Sequence, residues 1–207
     1  MFLRLSRMVG CLFALAASGC VSTNAYVEVG HDKTDFRELQ PRNPPTPVRV
    51  TAEFQVNGEP RPAVNQAVYN EVVRVLQRTR MLLPVSGDPG LTLKVIVDDT
   101  ADLDQVSHQG LITGLTEGLS GSIARDEYHF TYTLQSSDGK KPQTGLYKHA
   151  MITVSGRAAP PSYGQPHSIE DAFSLIVKQS VLEFLSDMQS IEGDEPVMFI
   201  PDSSDGK

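Results

Sequence analysis

Cys20 is the residue whose surroundings most narrowly define a chemistry in this chain of 207 residues. It follows Ala17-Ser18-Gly19, small side chains of the kind that signal peptidases accept around a scissile bond. Cleavage there would leave a thiol and a new amino group on one residue, both open to acylation. Other chemistry-bearing groups are placed less well. Five histidines (His31, His108, His129, His149, His167) are far apart in sequence. His129 and His149 fall on two strands of an expected hairpin and can face each other, but two imidazoles without a carboxylate or thiolate make a poor metal site. Asp98, Asp99, Asp102 and Asp104 lack the central glycine and closing glutamate of a calcium loop, so a solvated acidic turn is the simpler reading. Ser120 stands in Gly118-Leu119-Ser120-Gly121, one residue short of an esterase elbow, and no parallel α/β pattern surrounds it. No catalytic residue, metal or dissociable cofactor is expected, and the chain reads as a non-enzyme.

The first nineteen residues have the order of a secretory signal: Arg4 and Arg7, the apolar run Met8 to Ala17, then small residues. The run is too short to cross a bilayer as a mature helix. Together with Cys20 it resembles a lipobox, the processing site of bacterial lipoproteins. That resemblance implies cleavage before Cys20, a diacylglycerol on its sulfur and an acyl chain, such as palmitate, on its amino group. It also implies sorting to the outer membrane, facing the periplasm, because Val21 and Ser22 follow in place of an inner-membrane Asp. The alternative is an ordinary signal peptide with a cysteine at the cut. Cys11 sits too close to the start to serve, and it leaves with the signal, so no disulfide can form. Loss of Arg4 and Arg7, with no acidic residue, takes the formal charge from −7 to −9. An acidic chain repels nucleic acid, which is excluded as a partner.

Residues 20–47 read as an acylated tether, ending in the proline-rich stretch Pro41 to Pro47 that favours extended backbone. Packing along the domain as an irregular strap is the other reading. One domain is expected over 48–190. Val48, Val50, Ala52, Phe54 and Val56 alternate as in a half-buried strand before the Asn57-Gly58 turn. From Pro62 to Met81 the spacing of Val64, Val68, Val72 and Val75 is helical, and prolines open the segment. Leu82 to Ser86 is a short strand. Leu91, Leu93, Val95 and Val97 form another, and Tyr128, Phe130, Tyr132 and Leu134 a third. Ser137-Asp138-Gly139-Lys140 turns it into a returning strand with Leu146, Ala150, Ile152 and Val154 on one face. Ser168 to Asp171 has the form of a capping box and opens a helix to about Gln189. Residues 191–207 form an acidic, flexible tail, within which Val197 to Ile200 can add a short edge strand. The sum is an α+β two-layer sandwich: two amphipathic helices on one face of a four- or five-stranded, largely antiparallel sheet.

With "LTLKVIVDD", "YHFTYTL", "GLYKHAMITVSG" and "SIEDAFSLIVKQSVLEFLSDM" in that order, the chain resembles small Gram-negative outer-membrane lipoproteins of the YajG type. A fainter likeness is to the lipopolysaccharide-assembly lipoprotein, which also packs two helices on a sheet. Gly110 to Ala124 breaks the pattern. Gly110, Gly114 and Gly118 stand four apart, with Leu111, Leu115 and Leu119 between them. On a helix these form a smooth stripe suited to a membrane or partner contact; the plainer reading is a glycine-rich loop capping the core. The expected role is a binding or scaffold module anchored in the outer membrane, with an envelope protein or lipid as partner. The alternative is an accessory lipoprotein that handles lipid or lipopolysaccharide.

Overall fold

The alternating valines after residue 47 build the centre of the sheet. The computed structural model describes residues 23–28, 34–101, 122–156 and 164–194. In chain order the elements are β1 (Thr23–Val27), a 3-10 turn (Phe36–Glu38), β2 (Thr46–Val56), β3 (Glu59–Pro60), α1 (Pro62–Thr79), β4 (Leu82–Pro84), β5 (Leu91–Ala101), β6 (Ser122–Ser136), β7 (Gln143–Ser155) and α2 (Ile169–Asp194). One sheet of seven strands runs β1-β7-β6-β5-β2-β3, with β4 also paired to β2. The β2–β5 and β2–β4 pairs are parallel and the rest antiparallel. Both helices pack on one face, so the α+β sandwich is correct and the sheet is wider than four or five strands.

Partners in register share a face, so the core follows from the pairing. Val97 lies beside both Phe54 and Phe130, and Val95 beside Ala52 and Tyr132. From α1, Val68, Val72, Val75 and Leu76 meet this layer, and from α2, Ile176, Val177, Val181 and Leu185, all without solvent exposure. Helix α1 ends at Thr79 because Arg80 turns left-handed (φ 56°). Helix α2 starts as the capping pattern requires: Asp171 N–H donates to Ser168 Oγ at 3.0 Å, and that hydroxyl donates to Asp171 Oδ2 at 2.8 Å.

Two strands, β1 and β3, go beyond the sequence pattern. β1 has only five residues, too few to show a period, yet it zips antiparallel onto Met151 to Ser155. Ala25 also exchanges both backbone hydrogen bonds with His167 at 2.9 Å. The segment before β2 is likewise held: Leu39 is buried in the core, Gln40 N–H donates to Gln189 Oε1 at 2.7 Å, the Arg78 guanidinium lies 4.4 Å from the Phe36 ring centre, and within the proline-rich stretch Arg42 N–H donates to Arg80 O at 3.0 Å. In its described part the expected free tether is therefore a bound strap. Its hydrogen bonds are made to β7, α2 and the α1–β4 corner, where polar side chains and free carbonyls were available.

The returning strand also differs. Leu146, Ala150, Ile152 and Val154 do share a face, but it is the one away from the helices; Gly145, Tyr147, His149 and Met151 point inward. The other face carries a second small apolar cluster of Tyr26, Ile152 and Val154.

Candidate functional site

Helix α2 runs antiparallel to β7, from His167 beside Ala25 down to Asp187 beside Tyr147. Ser180, Glu183 and Asp187 are three and four residues apart, so they form one polar stripe along the helix, beside its apolar face. Each meets a group from the sheet. Tyr132 Oη and Ser180 Oγ are 2.6 Å apart, His149 Nε2 is 3.3 Å from Glu183 Oε2, and Tyr147 Oη donates to Asp187 Oδ2 at 2.7 Å. Burial raises the Tyr132 phenol above its usual range, against the lowering contact with Ser180. Burial and then the Asp187 carboxylate raise Tyr147. These phenols stay neutral donors. The ladder is a registry device: three matched pairs admit one alignment of helix on strand.

His129 and His149 do not face each other. His149 pairs with Tyr128, and His129 with Lys148, so the two imidazoles are on opposite faces. One residue of register decides this, because side chains alternate. Among the described residues no cluster of histidines, cysteines and carboxylates could hold a metal. Asp98 and Asp99 likewise diverge. Asp98 Oδ1 accepts the Gly58 N–H at 2.9 Å. Asp99 faces inward beside Tyr128, and its carboxyl is pushed up to about 6 by burial first, then by the charges of Asp126 and Asp98. Asp126 is raised by burial too. Asp102, Asp104, Ser120, Cys20 and the contact set Gly110, Leu111, Gly114, Leu115, Gly118 and Leu119 lie outside the described residues.

A cavity of about 430 Å³ opens where α2 passes the start of β7. Five consecutive strand residues, Gln143 to Tyr147, line it, so it runs against the edge of the strand rather than against one face. Phe184, Asp187, Met188, Ser190 and Ile191 form the helical wall. Leu146 is 74% exposed and Ile191 54%. A Cβ on Gly145 would come within 2.6 Å of Tyr147 Oη, so glycine is what lets that ring fold down to Asp187. β1 covers β7 only from Met151 onward, with one further bond from Glu28 N–H to Ala150 O. Among the described residues nothing pairs with the outer edge from Gln143 to Lys148. Sequence reasoning missed this site, since an uncovered edge depends on where a neighbouring strand stops.

No family model matches the chain, and no curated protein matches it. Solved structures with a similar course include a PelC dodecamer from Paraburkholderia phytofirmans, at 11% identity and TM-score 0.36, covering 81% of this chain and 98% of that one. A protein of Xanthomonas campestris described by the family model DUF330 has 15% identity and TM-score 0.38, over 76% and 94%. The rare lipoprotein B of Shewanella oneidensis has 11% and 0.33, over 72% and 96%. At these identities and scores the likeness assigns no function, and the YajG-type resemblance remains an expectation of the sequence.

Proposed function

We propose that this chain is a non-catalytic lipoprotein of the outer membrane that works as a binding or scaffold module on the periplasmic side. The anchor comes from the signal and Cys20. The observation that carries the binding role is the strand edge left open among the described residues, whose apolar groove lies beside the polar stripe that ties α2 to the sheet. Only Val21 and Ser22 separate Cys20 from β1, a reach of about 10 Å. Acylation at Cys20 therefore holds the domain directly on the bilayer, with no stand-off. Thr23 lies at the same end of the sheet as Ser155 and Ser122. The segment containing Gly110, Gly114 and Gly118 joins the sheet at that end, so a membrane contact by Leu111, Leu115 and Leu119 fits this orientation. The groove is ten residues back along β7 from Ser155, about 33 Å from the anchored end, and faces the periplasm.

Fractionation tests the reading. Cys20→Ala should leave the membrane fraction and stay folded, since stable anchoring needs more than one acyl chain. Normal processing with retention in the outer membrane would overturn it. A lipid-handling role is the second reading, favoured by a cavity in the size range of small-ligand sites. It competes poorly, because the space between both helices and the sheet is filled and the cavity is an open groove. Native extraction followed by lipid mass spectrometry decides between them.

A further inference from the structure

The groove beside β7 has two kinds of recognition surface. Its strand edge presents backbone donors and acceptors from Gln143 to Lys148, and its helical wall presents Phe184, Met188 and Ile191. Such a site accepts an extended peptide, which gains main-chain hydrogen bonds from the edge and buries alternate apolar side chains. Lys141 and Lys148 are exposed near the edge of a protein that is acidic overall, while Asp187 on the helical wall accepts the Tyr147 hydroxyl. The fitting ligand is a short apolar run flanked by acidic residues.

The chain contains such a run beyond α2. Val197-Met198-Phe199-Ile200 is bounded by Pro196 and Pro201, with Asp194 and Glu195 before it and Asp202 after it. Prolines at both ends limit a strand to these four residues, about 13 Å, which is shorter than the open edge. We propose that Val197 to Ile200 of one copy adds as a strand to the β7 edge of a neighbouring copy, which gives the binding module of the preceding section, on which this inference rests, a partner of its own kind.

The chain's own tail fits less well. The tail leaves α2 near Gln143, so in its own groove it would run parallel to β7. β7 is parallel to β2, and α1 and α2 lie on the same face, but β4 sits on the side of β2 away from β7. A β7–α2–tail crossover would therefore have the opposite hand to β2–α1–β4. With the latter in the usual right-handed sense, the former is the disfavoured left-handed one. A neighbouring tail carries no such constraint. Copies anchored in one leaflet present groove and helix end at the same height, since the groove and the C-terminal turn of α2 both lie at the end of the domain far from Thr23. The contact joins a tail to a groove, so it closes a dimer by reciprocal exchange or extends into larger assemblies.

Sedimentation velocity on the full chain with Cys20→Ala, free of detergent, tests this across a hundredfold concentration range. The expected result is mass-action association, weakened at least tenfold by Phe199→Asp with Ile200→Asp and by Leu146→Asp, whose side chain is exposed and can change without unfolding the domain. A labelled peptide spanning Glu195 to Asp202 should bind the tail variant, whose groove is vacant, and fail to bind when Leu146→Asp is added. Thermal melts confirm that each variant is folded. A monomer at every concentration, association that survives both changes, or absence of peptide binding would each overturn the proposal. Slowed amide exchange at Gln143 to Lys148 in a monomer would assign the groove to the chain's own tail and overturn it equally. None of these outcomes touches the Cys20 fractionation, so the two claims fail separately.

Discussion

Asp99 sets the pH response of the core. Its carboxyl titrates near 6 in the fold against an ordinary value of 3.8, because burial and two neighbouring aspartates disfavour the charge. An acid whose pKa is raised by folding contributes stability in its protonated form, which is present below about 4 and lost as pH rises through about 6. We therefore predict that the chain melts higher at pH 5 than at pH 7.5, and that Asp99→Asn removes much of this slope while raising the melting temperature at pH 7.5. An unchanged slope in the variant would show that the charge is solvated. The Tyr132–Ser180 contact makes a second residue-scale prediction. Tyr132→Phe leaves the ring stacked on Phe184 but removes a buried hydroxyl pair, at a cost of about 1 to 2 kcal/mol in denaturant unfolding.

At the scale of elements, the strap is the feature most worth testing. Ala25 has no exposure, and its backbone is bonded to His167 on one side while β1 pairs with β7 on the other. Ala25→Asp would bury a carboxylate at a cost of several kcal/mol and should prevent accumulation of folded protein; a free tether would tolerate it. Ser168→Ala should cost about 1 kcal/mol through loss of the N-cap, read from the same unfolding curves. The elements legible in the sequence were those whose period repeats. Val48 to Val56, Leu91 to Val97 and Tyr128 to Leu134 repeat every second residue, α1 every three or four, and the cap at Ser168 has its own signature. β1 was not legible because five residues carry little period, and its partner lies about 130 positions away. The inward face of β7 was hidden for a different reason. Gly145, Tyr147 and His149 are less apolar than Leu146, Ile152 and Val154, and what makes them inward is the polar stripe on α2. A groove at a strand edge leaves no pattern at all. Cys20 and the glycine–leucine stripe were legible as motifs, while their surroundings fall outside the described residues.

The whole molecule is a plate with two different ends. One gathers Thr23, Ser122 and Ser155, next in sequence to the proposed acylation site; the other holds the groove and the C-terminal turn of α2. This arrangement accounts for Leu146 and Ile191, the two most exposed of the large hydrophobic residues among those described. It also makes the membrane geometry measurable. Neutron reflectometry of the mature acylated chain on a supported bilayer reads the protein density along the membrane normal. The account predicts protein density that starts within about 10 Å of the headgroups, as two linking residues require, and Leu115→Asp with Leu119→Asp should weaken the layer without lowering the melting temperature. A hydrated gap of tens of ångströms, or an acylated chain that forms no layer, would contradict it.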